Sequence, residues 1–352
     1  MFKNWLKQFI LYASIITIVF VSINYICDPY GIFNINWYGN TVRNHIASDR
    51  MTKVYYAKRL MPQTVLIGSS RAGTIDTQDI TLYTHDTVYN LALGGSSLYE
   101  QAMYAKFAIE VLHVKHIIWG IDFFSLNPER YPDHAFEQNR LSASPYMEDY
   151  KGALLSLNAF LDSLQTFFES IKKSSKENMN LLTGSDTYHE FEKSFHKQGI
   201  SFINDKIEKG LQGYAKTKTL LNSKLFQEPH SIDKNLETIK STLEFANLHN
   251  VQITIYISPV YYKHLELIDS IGLLQTNQYF KTALRSITPY WDFNTKNSIT
   301  TNINNFWDNS HARKEIGQHM MKTILTHSRD EENDFGLYYS KQIKSDDANA
   351  SH

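Results

Sequence analysis

The chain has 352 residues, with 35 Lys and Arg against 36 Asp and Glu and a formal net charge of −1. Hydrophobic residues at 42% and charged residues at 20% exclude a disordered chain, and the balanced charge removes any global electrostatic case for nucleic-acid binding. A single cysteine excludes a disulfide framework and a thiolate zinc site.

The first element is an uncharged run from Phe9 to Cys27. At about 1.5 Å per helical residue it spans roughly 28 Å, close to a bilayer core. Lys3 and Lys7 precede it and Asp28 follows it, which predicts an N-terminus inside the cytoplasm and the rest of the chain outside. The rival reading is a cleaved signal peptide. The run exceeds the usual h-region of about 7–15 residues, and no A-x-A site follows it. Ile26 is also too bulky to precede a lipidated cysteine at Cys27. Residues 1–28 are therefore read as a single-pass anchor of the cytoplasmic membrane, with an extracytoplasmic domain beyond it.

Past the anchor, strand and helix signals alternate. Residues 50–60 read as a surface helix. Short β-branched runs predict strands at Thr64–Ile67, Thr87–Leu93, His116–Ile121, Val251–Ile257 and Tyr290–Phe293. A helix over 97–112 has Ser96 or Ser97 as its cap, and Ser231 is expected to cap another with Ile232, Leu236, Ile239, Leu243 and Ala246 on its apolar face. A last helix follows His311, with Ile316, Met320 and Ile324 on one face. This alternation predicts a three-layer α/β/α domain over 29–328, with a parallel sheet covered on both faces. The stretch from about 125 to 230 lacks a strand signal and reads as a helical insertion, a lid or partner-docking subdomain, with a loop over 172–188. Residues 329–352 read as a polar tail without fixed structure.

Four turns carry chemistry. Gly68-Ser69-Ser70-Arg71 follows the first strand, where α/β sheets bind ligands, and glycine allows the sharp turn that exposes a hydroxyl beside free N–H groups. Read alone, it is equally an ordinary serine-capped turn. Asn90 to Gly95 follows the second strand, and a glycine N–H there can serve as an oxyanion donor. Gly120-Ile121-Asp122 follows the third. Asp308-Asn309-Ser310-His311 precedes the last helix; a serine nucleophile needs a base and the base an orienting carboxylate, and this spacing lets one turn deliver both. Tyr256, Tyr261 and Tyr262 either line a sugar site or pack at the sheet end.

Together these motifs resemble the blocks of the SGNH (GDSL-type) hydrolase superfamily, over roughly residues 60–125 and 250–325. Gly68-Ser69-Ser70 is similar to block one, Asn90 and Gly95 to block two, Gly120-Ile121-Asp122 lies where block three belongs, and Asp308 with His311 matches the Asp-x-x-His of block five. The resemblance implies Ser70 as nucleophile, His311 as base and Asp308 as its orienting acid. It implies the N–H groups of Ser70 and Gly95 as oxyanion donors, with Asn90 in support. Ser69 stands where the family has Asp, and Asp122 where it has an oxyanion-binding Asn. An ionised Asp122 would repel an oxyanion, so its place in the hole is left open. The anchor and the Gly-Ser-Ser-Arg run resemble a membrane-anchored subgroup that includes polysaccharide O-acetylation and teichoic-acid D-alanyl transfer proteins. That resemblance implies acyl transfer, acetyl foremost, to a glycan or polysaccharide hydroxyl. It also implies a membrane-bound O-acyltransferase as partner. The residues themselves point to neither a cofactor nor a metal: no Gly-x-Gly-x-x-Gly is present, and His113, His116 and His311 have no carboxylate at ligand spacing. The alternatives are an extracytoplasmic carbohydrate esterase and a non-catalytic glycan-binding or scaffold module.

Overall fold

The computed structural model describes residues 2–35, 49–172, 183–186, 188–328 and 334–342. In chain order the elements are α1 (Phe2–Cys27), α2 (Asp49–Leu60), β1 (Thr64–Ile67), α3 (Ser70–Gly73), α4 (Thr77–Thr84), β2 (Val88–Asn90), α5 (Leu98–Glu110) and β3 (His116–Gly120). The insertion follows as α6 (Met147–Leu155), α7 (Leu157–Lys172), α8 (His189–Gln198) and α9 (Ile200–Lys216). The rest comprises α10 (Asp233–Leu248), β4 (Gln252–Ile257), α11 (Tyr262–Ser270), α12 (Leu274–Ile287), β5 (Tyr290–Asp292), α13 (Ser298–Thr301), α14 (Lys314–Thr326) and β6 (Leu337–Tyr339). Of the loop expected over 172–188, residues 173–182 and 187 lie outside the described residues.

One sheet has the order β2-β1-β3-β4-β5-β6. The first five strands are parallel and β6 runs antiparallel to β5 at the edge. Val65 of β1 sits opposite Tyr89 on one side and Ile117 on the other. All four β1 residues are buried, as a strand covered on both faces requires. The pleat sends Val65, Ile67, Ile117 and Trp119 into a core shared with α5, α10 and α12. It sends Leu66, Ile118 and Tyr256 into a second core with Ile80 of α4 and Ile316, Met320 and Ile324 of α14. The fold is therefore α/β, with a mostly parallel six-stranded sheet between helical layers, preceded by one long apolar helix. That helix has a mean hydropathy of 2.1 over its most apolar window, 6% of which is buried, so it is not a core helix. Its length and composition suit a membrane anchor or a signal sequence alike.

Several elements differ from expectation. The helix over 50–60 is not a surface helix: Arg50, Thr52, Lys53, Val54, Tyr55 and Ala57 are buried. Its charges are used as internal partners rather than as a solvated face. Lys53 Nζ donates to the Ala92 carbonyl at 2.5 Å, and Arg50 Nε donates to Glu100 at 2.8 Å. Burial pushes the Lys53 pKa down, against the opposing pull of Asp186 and Asp49. Ser97 caps α5 in a full capping box with Glu100. Ser231 does not cap α10; it lies in the preceding 3₁₀ turn Pro229–Ile232, and its buried hydroxyl is unpartnered. Asp233 opens α10 instead, where a carboxylate meets the positive end of the helix dipole. Of the tail expected to lack fixed structure, residues 329–333 and 343–352 lie outside the described residues; in the part described, β6 completes the sheet and Phe335 is fully buried against Phe293. A three-residue edge strand among polar residues carries too little periodicity to announce itself.

Candidate active site

In a sheet ordered 2-1-3-4-5, the loops after β1 and β3 leave toward opposite faces, and the crevice between them is where such sheets bind ligands. Gly68 to Arg71 leaves β1 there, and Asp122 follows β3. Gly68 has φ +154°, and a Cβ on it would meet Ala72 and the Gly120 carbonyl at 2.8 Å. Only glycine fits this close approach of the two loops.

The turn places two adjacent serines differently. The Ser70 hydroxyl lies 2.8 Å from His311 Nε2. His311 Nδ1 lies 2.7 Å from Asp308 Oδ2, and Asp308 Oδ1 accepts the backbone N–H groups of Ser310 at 2.7 Å and His311 at 2.8 Å. With the Asp308 carboxylate accepting from Nδ1–H, Nε2 is left as the acceptor facing Ser70. Burial opposes charge on Asp308, but His311 and these hydrogen bonds outweigh it and bring its pKa down to about 2. The turn is pinned from behind. Asn309 Nδ2 donates to His264 Nδ1 at 2.7 Å, the Trp307 N–H donates to the His311 carbonyl at 2.9 Å, and Phe306 pairs with Ala312. Burial holds the His264 pKa well below the usual histidine value, leaving a neutral ring.

Ser69 faces the other way. It is fully buried, caps α3 by accepting the Arg71 N–H at 3.2 Å, and donates its hydroxyl hydrogen to Asp122 Oδ2. Arg71 Nη1 donates to Asp122 Oδ1 at 3.3 Å, and its guanidinium lies 5.1 Å from the Phe124 ring centre. Burial disfavours the Arg71 charge; Asp122 and Tyr214 more than offset this, so the pKa is raised. Both Asp122 oxygens are thus engaged with Ser69 and Arg71, and the carboxylate is buried in the protein rather than bonded to the Ser70 hydroxyl. Nothing in the sequence signalled this triangle.

Asn90 is a brace. Its Nδ2 donates to the carbonyls of Ala72 at 2.9 Å and Ile75 at 3.1 Å, and its Oδ1 accepts the Ala92 N–H at 3.0 Å. The loop after β2 is thereby tied to the turn that carries Ser70. Gly95 has φ +58°, its carbonyl accepts from Arg130 Nη2, and neither its N–H nor that of Ser70 makes a hydrogen bond among the described residues. Two backbone donors, one of them on the residue that carries the half-buried hydroxyl, are thus left open among the described residues.

The insertion covers this site. Phe202, Ile203 and Ile207 of α9 pack on Tyr261, Phe306 and Trp307 beside the Asp308 turn. Tyr188 lies 5.5 Å from the His311 ring, and Tyr214 lies 4.6 Å from His264. Asp186, Tyr188, Trp307 and Arg313 line an adjoining cavity of about 230 Å³. Tyr256 and Tyr261 are packing residues, 0% and 6% exposed. No protein-family model and no curated protein matches this sequence.

Proposed function

We propose that the chain is an SGNH-like serine acyl-transfer enzyme, held outside the cytoplasmic membrane by α1, that moves an acyl group onto a hydroxyl of an envelope or exported polysaccharide. The observation that carries this reading is the continuous Ser70–His311–Asp308 chain at the crevice of the sheet. The two departures from the family pattern also meet each other: Ser69 and Asp122 form one hydrogen bond, as complementary replacements would.

In the reaction, Ser70 Oγ attacks the carbonyl carbon of an acyl ester while His311 Nε2 takes its proton. The Ser70 and Gly95 N–H groups hold the oxyanion. The donor's alkoxide leaves with that proton, giving the acyl-serine. A sugar O–H then attacks the acyl carbon as His311 takes its proton; the bond from that carbon to Ser70 Oγ breaks, His311 returns the proton to Oγ, and the sugar ester forms. The aromatic cover from α8 and α9 favours transfer over hydrolysis, because excluding water favours the bound hydroxyl. A membrane-bound O-acyltransferase fits as the source of the acyl group.

Retention of α1 has its own support. Asn24 is fully buried, donating to the Leu154 carbonyl at 2.9 Å and accepting from Ser163 Oγ at 3.1 Å, contacts a cleaved leader would have no use for.

The test is a serine-directed phosphonate followed by an acyl-transfer assay on an oligosaccharide. Labelling at Ser70 with transfer exceeding hydrolysis is expected. A folded wild-type protein that never labels would leave the binding-module reading in its place.

A further inference from the structure

The α6–α7 hairpin packs on α1 within the apolar run itself. Phe160 stacks on Phe20 with ring centres 4.9 Å apart, and Ser163 reaches Asn24. Phe20 precedes Cys27 by seven residues, which is about 10 Å along a helix. A leaflet's hydrocarbon is about half of a core roughly 30 Å thick. If α1 spans, Phe160 therefore lies within the outer leaflet. The pairings Phe20 with Phe160 and Asn24 with Ser163 run in the same direction along both helices, so the start of α7 lies deeper still, while the end of α6 lies at the level of Asn24, which donates to the Leu154 carbonyl.

The exposed surface of the hairpin matches that position. Leu157, Leu161, Leu164 and Phe168 recur at the spacing of one helix face. Leu157 is 65% exposed, Leu161 55% and Phe168 57%, and Leu155 at the turn is 59% exposed. Such a contiguous apolar stripe is unfavourable against water. It lies next to the equally bare flank of α1, where Ile15, Ile16, Ile18 and Val19 are exposed. The stripe borders a polar cavity: Leu161 lines a space of about 490 Å³ together with Asn158, Asp162, Tyr30, Glu148 and Asp149, and Tyr30 OH donates to Asp162 at 2.6 Å.

We infer that the α6–α7 hairpin is a second membrane element, a re-entrant hairpin that dips into the outer leaflet beside α1 and presents the Leu155, Leu157, Leu161 and Phe168 stripe to lipid. The occupant of this surface is the bilayer that α1 crosses, because the stripe continues the lipid-facing flank of that helix. The hairpin thereby sets the height and orientation of the domain on the membrane. This rests on the anchor reading of α1 and not on the acyl-transfer chemistry.

The experiment uses the full chain in a Cys27→Ser background, reconstituted in phosphatidylethanolamine/phosphatidylglycerol vesicles. Single substitutions Leu157→Cys, Leu161→Cys and Phe168→Cys carry a nitroxide; each position is more than half exposed, so the label need not disturb packing. Ile16→Cys serves as the membrane reference, and Leu248→Cys, at a site 78% exposed on α10, as the aqueous one. The hairpin sites should follow Ile16, with collisions with oxygen exceeding those with a water-soluble nickel chelate, the inverse of the ratio at Leu248. Hairpin sites that follow Leu248 while Ile16 reads as membrane would overturn the proposal and leave the stripe to a protein partner. An aqueous reading at Ile16 would remove the anchor and the proposal together, leaving the triad reading untouched.

Discussion

Ser69 and Ser70 are neighbours in the chain, yet one hydroxyl is sealed against Asp122 and the other reaches His311 from a half-buried position. Each serine ends in a carboxylate. Asp122 already holds the Arg71 guanidinium, so the Ser69 group is a buried structural unit in which acid and base are paired. Asp308 is separated from Ser70 by an imidazole, which can take a proton at one nitrogen while keeping its hydrogen bond at the other. The difference between the two serines lies in the group standing between serine and acid, not in the serine itself, and it is this difference that the proposed role of Ser70 as nucleophile rests on.

The sharpest way to break that comparison is to remove the second chain. Ser70→Ala and His311→Ala should each lower acyl transfer on the order of 10⁴–10⁶-fold, with the double variant little worse than either single one. Single-turnover kinetics on the three variants check this, and additive losses would deny that the residues act as a unit. Asp308→Asn should cost about 10⁴-fold in turnover, because an amide can leave the imidazole in the wrong tautomer.

Attacking the first chain should instead damage stability. Arg71→Met strands a buried carboxylate and should cost about 3–5 kcal/mol in denaturant unfolding. Adding Asp122→Asn should recover part of that loss, and a double variant no more stable than Arg71→Met would argue against a coupled pair.

Acid titration separates the two carboxylates more gently. The folded pKa of Asp308 is depressed, from 3.8 to about 2. A depressed acid contributes stability that is fully present above its unfolded pKa and is lost as pH falls through its folded one. The contribution is about 2 kcal/mol, so wild type should lose that much more than Asp308→Asn between about pH 5 and pH 2. Equal acid sensitivity of the two proteins would show that His311 and the turn do not hold Asp308 charged.

The smallest effect belongs to Ser69→Ala. Leaving Asp122 one donor short should cost about 1–3 kcal/mol in stability, with turnover falling far less than in Ser70→Ala. A dead Ser69→Ala beside an active Ser70→Ala would exchange the two roles.

Much of the fold was legible because its signals are local. A short β-branched run ended by glycine marked β1, the run 87–93 marked β2 but overran it, since the strand ends at Asn90, and the Asp-x-x-His spacing marked a turn that could join acid and base. Lys53 was not legible: a charged residue in a polar-looking helix reads as surface until the Ala92 carbonyl is found waiting for it. The β6 strand was hidden in a polar tail because an edge strand borrows its stability from β5. The break at Ser156 that separates α6 from α7, and the seating of both helices on α1, have no local signal.

The sequence by itself determined the strand-helix alternation, the apolar N-terminal helix and the Asp308–His311 spacing, because these depend on periodicity and short spacings; Ser70 joined that pair only through the family resemblance. Only the tertiary structure decided that Ser70 and His311 meet across 241 positions, that Asp122 turns away to Ser69 and Arg71, and that the hairpin rests on α1. Those contacts are set by which strands neighbour one another and which helix faces find partners, and neither is written in any single stretch of chain.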